Sequence, residues 1–439
     1  MVRRLIALVV LYPVVALGAD RHILRYQSSI PVSFQSSLAT IDGALVSLNN
    51  GAGIAVVSDL TDMEAAALAK ETGAADVVSD IGVRLRLGGL GEESDPRIAI
   101  ATTQSPEDAA VYPWQWNLRA IGADKAWAAG RLGSPDVTVA VIDTGVSYEH
   151  PDLQGRVDLA RSVSFVPSDD ATVAALFPGR HPVTDLFYHG THVAATISSN
   201  AHIAAGVTAN VTIMGVKVLS STGEGTFSGV LDGILWAADH GADIANLSIG
   251  DTLPRNGNGR YLAMIQQVFS YANRKGMLIV VAAGNESVDL DHDGSGFNMY
   301  CNAANVVCVS ATGPAASAGL AGPWSGVDDF ASYSNYGRSA IAVAAPGGTD
   351  AARIWAACSK TSLLVPHCQG SDEVLGIGGT SMAAPHVAGL AALIVEDVGH
   401  GHPLQVKALL QQSSDDLGTT GFDSFYGHGR VNAGKAVQH

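Results

Sequence analysis

Charge, basic residues and long apolar runs are scarce in this sequence, and each shortage excludes a class of function. Only 15% of the 439 residues are charged, and 41 acidic residues outnumber 25 basic ones. The formal net charge of −16 repels phosphate backbones, so we expect no nucleic-acid partner. Beyond the N-terminus no stretch has the length of a membrane span. The apolar run Ala383–Val395 contains Pro385 and His386 and predicts a buried helix.

The apolar content is high, at 47%, which is enough for a large core. The length suggests two or three domains of about 100–200 residues each. The 49 glycines indicate many tight turns and close backbone approaches.

The N-terminus has the pattern of an export signal. Arg3 and Arg4 precede the apolar run Leu5–Leu17, and Ala16-Leu17-Gly18 supplies small residues at the two positions that a signal peptidase reads. This run is shorter than the roughly 20 residues of a spanning helix. We therefore predict a signal peptide at residues 1–18 and a secreted protein, extracellular or periplasmic, with no membrane attachment after cleavage. An uncleaved anchor is the alternative.

Four cysteines lie in the second half of the chain, and an even number in an exported protein indicates disulfides. Three pairings exist, and free buried thiols are the alternative. We favour the local pairing, which closes two short loops: Cys301–Cys308 and Cys358–Cys368.

Two regions differ in pattern. In the first, Gly53–Leu60 is strand-like, Thr61 and Glu64 have the spacing of a capping box ahead of a helix, and Ala75–Leu87 alternates again. This predicts a small β-α-β unit. Residues 88–110 are rich in Gly, Glu, Ser, Asp and Pro and predict a linker.

In the second region, apolar strands alternate with helical segments, which predicts a mostly parallel, doubly wound α/β sheet covered by helices on both faces. Active sites of such folds lie at the carboxyl edge of the strands. The predicted strands are Val137–Asp143, Val211–Leu219, Ala242–Ile249, Met277–Ala283, Asn305–Ala311 and Ala340–Ala345; the predicted helices are His189–Ser199, Thr226–His240, Tyr261–Arg274, Ser381–Val395 and Leu404–Gln412.

Two of the segments that carry chemistry are a strand end and a helix start. An apolar strand ends in Asp143, which by itself is typical of a strand followed by an Asx turn. His189 opens a helix, and Gly190 permits another backbone to approach it closely. His192 follows at i+3 without the glutamate of an H-E-x-x-H zinc motif, so we expect one catalytic and one structural histidine.

The third segment is Gly379–Gly389, in which Ser381 begins an apolar helix. A serine there is commonly only an N-cap. As a nucleophile it would place a developing oxyanion at the positive end of the helix, beside its own backbone N–H.

Together these segments resemble the subtilase family, whose Asp…His…Ser order they share. The resemblance covers Tyr112 to Val437. The serine motif matches without departure, whereas Ala195 stands where the family usually has glycine in the histidine motif. The resemblance implies a subtilisin-like fold and a serine endopeptidase that acts on proteins or peptides and needs no cofactor for its chemistry.

The family's roles transfer to matching positions. Ser381 would be the nucleophile, His189 the general base and then acid, and Asp143 the residue that orients the imidazole. Asn285 would donate its side-chain amide to the oxyanion. The segments that would bind an extended substrate and form the facing wall of its S1 pocket comprise Leu247, Ser248, Ile249, Gly250, Ala282, Ala283 and Gly284.

Specificity is less determined. P1 is the substrate residue whose carbonyl is attacked, and its side chain enters the S1 pocket. The residues predicted to line this pocket are apolar and leave ample room, so we predict a large apolar side chain at P1. Glu286 lies nearby in sequence and is compatible with a basic P1 side chain. A broad endopeptidase is favoured over a narrow processing protease. A non-catalytic binding protein on this fold is the remaining alternative.

An acidic stretch supplies Asp289, Asp291 and Asp293, whose alternation resembles the first half of a calcium loop. It is not an EF-hand, because Tyr300 occupies the position of the final glutamate. A structural Ca²⁺ site and a solvated acidic loop both remain open.

Residues 19–105 resemble a subtilase propeptide in size and position, followed by a catalytic domain at 106–439. We expect this segment to assist folding, to inhibit the enzyme within the same chain, and to be cut off in the linker. A permanent N-terminal domain is the alternative. We expect the enzyme to be a monomer.

Overall fold

A computed structural model describes residues 20–94, 105–250, 252–254, 256–292 and 296–438. The predicted signal peptide lies outside the described residues. The chain divides into two compact units, Met1–Gly82 and Val83–His439.

The first unit is a four-stranded antiparallel sheet with two helices. Its elements are β1 (His22–Arg25), α1 (Phe34–Ala39), β2 (Ala44–Asn49), β3 (Ile54–Ser58), α2 (Asp62–Thr72) and β4 (Asp76–Ser79). The strand order is β2-β3-β1-β4. The core of this unit contains Leu24, Phe34, Val57 and Leu68.

Sequence patterns recover this unit only in part. Helix α2 begins at the predicted capping box, in which Glu64 N–H donates to Thr61 Oγ1 and Thr61 N–H donates to Glu64 Oε2. The prediction of one strand over Ala75–Leu87 is wrong, because the chain leaves the sheet after Ser79 and forms a separate short strand from Gly82. The first two strands and α1 are too short for a clear hydrophobic period, so no sequence pattern predicts them.

The second unit is built on a seven-stranded sheet in which every strand pair is parallel. From Gly82 onward, the strands of the described chain are β5 (Gly82–Arg84), β6 (Glu93–Ser94), β7 (Thr138–Asp143), β8 (Val163–Ser164), β9 (Thr212–Lys217), β10 (Glu224–Thr226), β11 (Ile244–Leu247), β12 (Thr252–Pro254), β13 (Leu278–Ala282), β14 (Gly296–Asn298), β15 (Val306–Thr312), β16 (Ala316–Ser317), β17 (Trp324–Ser325), β18 (Ile341–Pro346), β19 (Ile354–Ala357) and β20 (Val374–Ile377). The order in the seven-stranded sheet is β18-β15-β13-β11-β7-β9-β8.

Helices cover this sheet. In the described chain they are α3 (Trp116–Ala120), α4 (Ala123–Ala128), α5 (Pro167–Leu176), α6 (His189–Ile197), α7 (Phe227–Asp239), α8 (Gly259–Arg274), α9 (Thr380–Val398), α10 (Pro403–Gln412) and α11 (Ala433–Ala436). Helix α9 contacts β11, β13, β15 and β18, α7 contacts β7 and β9, and α8 contacts β13. All residues of the central strands β7, β11, β13 and β15 are buried, as expected for a sheet covered on both faces.

The architecture confirms the predicted doubly wound α/β fold, and the predicted strands and helices of this region agree with the observed ones to within a few residues. Helix α9 is long and apolar enough to cross a membrane, but 83% of the relevant window is buried inside the protein. Its composition therefore reflects its place in the core, as predicted for Ala383–Val395.

The four cysteines form two disulfides with the local pairing, Cys301–Cys308 and Cys358–Cys368. The first joins the start of β15 to the segment that follows β14, and the second closes the loop between β19 and β20. Both bonds therefore close short loops, as predicted.

Candidate active site

An acid and an imidazole meet at the carboxyl edge of the parallel sheet. Strand β7 ends at Asp143 and helix α6 begins at His189. The Nδ1 atom of His189 lies 2.8 Å from Oδ1 and 3.0 Å from Oδ2 of Asp143, and both side chains are completely buried. This bond places the proton on Nδ1, so that Nε2 is left as the basic atom.

Two glycines permit this approach. A Cβ on Gly190 would lie 2.2 Å from the carbonyl oxygen of Gly145 and 3.1 Å from Asp143 Cβ. Gly145 itself has a φ of +114°, which side-chain-bearing residues rarely adopt. The close backbone contact predicted for Gly190 is therefore present, and it brings α6 against the end of β7.

Ser381 lies in the first turn of α9 and is 5% exposed. Pro385, four residues later, has no N–H to donate to the Ser381 carbonyl. That carbonyl instead accepts a hydrogen bond of 2.7 Å from Ser248 Oγ, on the segment after β11. The helix start is thereby tied to the predicted substrate-binding segment.

The Ser381 hydroxyl donates to the Ser248 carbonyl at 3.0 Å. Among the described residues, His189 Nε2 has no hydrogen-bond partner. Transfer of the hydroxyl proton to the imidazole therefore requires a turn of Ser381 about its Cα–Cβ bond. Such hydrogen bonds are often formed only with a reacting substrate in place.

Asn285 supplies an oriented amide donor. Its Oδ1 accepts from the backbone N–H of Thr380 at 2.9 Å and from the Thr380 hydroxyl at 3.0 Å. With the oxygen fixed in this way, Nδ2 points away from the helix and donates to the carbonyl oxygen of Arg86 at 2.8 Å. A peptide carbonyl is thus already bound by the group predicted to hold the oxyanion.

A pocket opens beside these groups, and most of the predicted substrate-binding residues line it: Ser248, Ile249, Gly250, Ala282 and Gly284. Leu247 and Ala283 do not, because both are completely buried in the sheet core. Thr252 and Asn298 also line the pocket, although no sequence pattern predicts them. Neither stands in a recognisable motif, since each reaches the site through β12 and β14, which pair only in the folded chain.

Glu286 is part of the same pocket, and its carboxylate is held in place. The Oε2 atom accepts from Asn285 N–H at 3.0 Å and from Asn335 Nδ2 at 2.8 Å. Among the described residues, no hydrogen bond reaches Oε1. One carboxylate oxygen is therefore anchored and the other is available to a ligand.

A buried ionic network supports the loops on either side of the acid–imidazole pair. Lys217 Nζ lies 2.8 Å from Asp169 Oδ2 and donates to the Thr144 carbonyl at 2.8 Å. Asp185 accepts from the Thr144 hydroxyl and from the Thr191 hydroxyl and N–H. Burial raises the pKa of Asp185, and the nearby Lys217 charge opposes that rise.

Removal of the buried cation is expected to destabilise the fold. Lys217→Met leaves buried carboxylates without their counter-charge and should lower the free energy of unfolding by about 3–5 kcal/mol. Urea unfolding followed by circular dichroism, in a Ser381→Ala background that prevents self-digestion, measures the change. Lys275→Met is the control, because its pair with Asp239 is on the surface and should contribute little. Equal midpoints for the two variants would contradict the argument.

Two further histidines are structural. His192 Nε2 lies 3.1 Å from the carbonyl oxygens of Ile354 and Leu375. His386 donates from Nδ1 to the Met382 carbonyl, while Nε2 faces Asn117 Nδ2. Burial lowers the pKa of His192 to about 3 and of His386 to about 4, so both stay neutral at neutral pH.

These shifts predict a loss of stability in acid. The unfolded histidines titrate near pH 6.5. Between about pH 6.5 and 4 the unfolded chain therefore binds more protons than the folded one, and this contribution to stability is lost as the pH falls. In the Ser381→Ala background, His386→Gln should show a smaller fall in urea midpoint between pH 7 and 5 than the parent, whereas the exposed His402→Gln should follow the parent. Identical pH profiles for all three proteins would refute the assignment.

The two described carboxylates of the predicted acidic metal site already accept hydrogen bonds from other groups of the protein. Asp289 accepts from His292 Nδ1 and from Asp291 N–H, and the Asp291 carboxylate accepts from Ser339. Asp293 lies outside the described residues. Calcium binding here stays a prediction.

One other cluster of metal-ligand types occurs in the described chain, at His367, Cys368 and Glu373. Cys368 is bonded to Cys358 and offers no thiolate. This cluster therefore does not have the donors of a metal site.

A buried acid–imidazole pair, a hydroxyl at a helix N-terminus and an amide donor on one sheet edge together define a serine hydrolase. The chain belongs to the Subtilase family, whose family model matches residues 134–429. It is a serine endopeptidase.

Named relatives agree with this assignment. The chain is 31% identical over 353 residues to the thermophilic serine proteinase of Bacillus sp. (strain AK1), covering 80% of this chain and 73% of the relative. It is 31% identical over 338 residues to thermitase of Thermoactinomyces vulgaris, covering 76% of this chain and all of thermitase.

A solved structure has the same fold. The epidermin leader peptide processing serine protease EpiP from Staphylococcus aureus aligns with a TM-score of 0.74 and 21% identity, over 95% of this chain and 97% of that one.

Proposed function

We propose that this protein is a secreted endopeptidase that cleaves peptide bonds through an acyl-enzyme on Ser381, with His189 and Asp143 as its partners and Asn285 as an oxyanion donor. The observation that carries the proposal is the hydrogen bond from Asn285 Nδ2 to a peptide carbonyl, that of Arg86, beside Ser381 and the His189–Asp143 pair.

The proposed reaction has two steps. His189 Nε2 takes the Ser381 proton as Oγ attacks the carbonyl carbon, and Asn285 Nδ2 with the Ser381 N–H binds the oxyanion. The carbon–nitrogen bond breaks and the amine leaves with the proton from His189. Water, deprotonated by His189, then hydrolyses the ester and restores Ser381. Asp143 stabilises the imidazolium in both steps.

Main-chain pairing supports an extended peptide substrate. The N–H of Leu85 donates to the Gly223 carbonyl at 2.8 Å, next to β10. Beyond the Arg86 carbonyl, β6 pairs antiparallel with β20, so that Glu93 faces Gly376 and Ser94 faces Leu375. The protein's own chain therefore occupies the cleft on both sides of the bound carbonyl, as the substrate of an endopeptidase does. Strand addition gives affinity with little demand on sequence, which supports broad action.

A narrow processing protease is the second candidate. Glu286 favours this candidate, because its carboxylate is held in place inside the pocket and an unselective apolar pocket would contain no such charge. EpiP is by its name a protease that processes a leader peptide, but the likeness to EpiP shows the fold alone.

The N-terminal region supports a role as a propeptide. Residues 20–82 belong to a compact unit of their own, and the segment Val83–Ser94 lies along the cleft of the second unit. A chain in this position keeps other substrates out, so the precursor would be inactive until the segment is cut. We propose that residues 1–18 direct export, that residues 19–105 act as folding aid and inhibitor, and that the mature enzyme is a monomer.

A fluorophosphonate probe tests the catalytic assignment. The mature protein should be labelled at Ser381, and the variants Ser381→Ala and His189→Ala should not be. Absence of labelling in the processed wild-type protein would favour the non-catalytic alternative. N-terminal sequencing of the labelled band tests maturation, since active enzyme that begins at Ala19 or Asp20 would contradict propeptide removal.

A further inference from the structure

We infer that the S1 pocket of this enzyme accepts an arginine side chain through Glu286, and that the first bond it cleaves is its own Arg86–Leu87 bond. The inference rests on the proposed function and adds to it a substrate class, a specificity-determining residue and a cleavage position.

Backbone contacts identify Arg86 as the P1 residue. Its carbonyl oxygen is the one bound by Asn285 Nδ2, at 2.8 Å. The preceding residue, Leu85, pairs through its N–H with Gly223 O, which fixes the register of the peptide along the cleft. The side chain that belongs to the bound carbonyl is therefore arginine.

The pocket has the charge that arginine needs. Arg86 and Glu286 line the same pocket, together with the small residues Gly250 and Gly284. A Cβ on Gly284 would lie 2.7 Å from Glu286 Oε2 and 2.3 Å from Asn335 Nδ2, so the glycine leaves this carboxylate uncovered. Ile249 and Ala282 offer apolar contact to the aliphatic part of the side chain.

The fixed position of Glu286 makes the preference selective. Asn335 and the Asn285 N–H hold Oε2, so binding does not have to order the carboxylate. A guanidinium can donate a charge-assisted hydrogen bond to the remaining oxygen. A large apolar P1 side chain would desolvate that oxygen and return no hydrogen bond. The apolar preference predicted from the sequence omits this cost.

The chain continues into the cleft after Arg86, as an uncut substrate does. Leu87, Gly88 and Leu90 line a second pocket with His189, Ser381 and Met382. Gly88 passes so close to the wall that a Cβ there would lie 2.6 Å from the Gly378 carbonyl oxygen. Glu92 accepts a hydrogen bond from the Tyr188 hydroxyl at 2.5 Å.

Cleavage follows the proposed mechanism without another reactant. Ser381 Oγ bonds to the Arg86 carbonyl carbon, the bond to Leu87 nitrogen breaks, and Leu87 leaves as a free amine with the proton from His189. Water then releases Arg86 as a carboxylate. The new N-terminus is Leu87, earlier in the chain than the cut in the linker expected from sequence.

Matched chromogenic peptides that differ only at P1 test the pocket. Wild-type enzyme should hydrolyse the arginine peptide with a kcat/KM at least ~10-fold above that of the phenylalanine peptide. Glu286→Gln should lower the arginine value by about 10–100-fold, which corresponds to one charged hydrogen bond, and change the phenylalanine value little.

The outcomes separate the two proposals. An enzyme that labels with fluorophosphonate but prefers phenylalanine overturns the arginine pocket alone. Equal losses on both peptides in Glu286→Gln also overturn it, because Glu286 would then act only by supporting Asn285. An unlabelled protein that cleaves neither peptide overturns the catalytic proposal itself.

N-terminal sequencing and intact mass test the cleavage position in the full-length chain. The mature wild-type enzyme, or its earliest processed form, should begin at Leu87. Arg86→Glu should slow the appearance of this species at least 10-fold, because it places a second carboxylate in the pocket. Lys70→Glu, an equal charge change on the exposed face of α2, should be processed like wild type. A first cut elsewhere, or unchanged processing of Arg86→Glu, refutes the assignment.

Discussion

Replacement of Ser381 by alanine is expected to reduce peptide turnover by about 10⁶-fold, the scale found for the nucleophile of subtilisin itself. The substitution removes the only atom of the site that forms a bond to the substrate in the proposed mechanism. His189 and Asp143 lie on α6 and β7, and their hydrogen bond does not involve Ser381, so it should be unchanged. The residual rate would come from Asn285 and from binding.

The same substitution should leave the precursor uncut. Ser381→Ala loses one hydrogen bond, to the Ser248 carbonyl, which is worth about 1 kcal/mol, so the variant should fold. Purified protein would then show the mass of the chain with its N-terminal region attached, while wild type shows the shorter form. Circular dichroism controls for folding. A folded Ser381→Ala protein that matures and cleaves peptides at the wild-type rate would contradict the assignment of the nucleophile.

Asn285→Ala is expected to lower kcat by about 10²–10³-fold, again on the scale known from subtilisin. The amide is oriented before the substrate reacts, because Thr380 holds its Oδ1 with two hydrogen bonds. The charge that Nδ2 stabilises develops on the substrate carbonyl in the transition state. The loss should therefore appear in kcat, with KM changing much less.

Steady-state kinetics on one peptide substrate measure this split. Thr380→Val keeps the backbone donor to Asn285 but removes the hydroxyl, and we expect a smaller loss of kcat in that variant. Asn258→Ala, an exposed amide on the chain before α8, is the control and should match wild type. A rise in KM with kcat unchanged would mean that Asn285 binds the ground state and is not an oxyanion donor.

Much of this protein could be predicted from local patterns. Asp143, His189 and Ser381 lie at the ends of regular elements inside short motifs, so the residues next to them in sequence identify them. The parallel sheet was predictable because buried strands are apolar throughout, as in β13 and β15. Helix α2 was predictable from its capping box.

The sequence by itself thus determined the α/β fold, the family and the four residues proposed for catalysis, because each leaves a local pattern of neighbouring residues in the chain. Only the tertiary structure decided which side chain lies beside the catalytic groups. Arg86 and Glu286 are 200 residues apart and belong to no shared motif. Both line one pocket because β10 positions one segment and Asn335 holds the other. A charge preference that arises from such long-range packing leaves no periodic signal in the sequence.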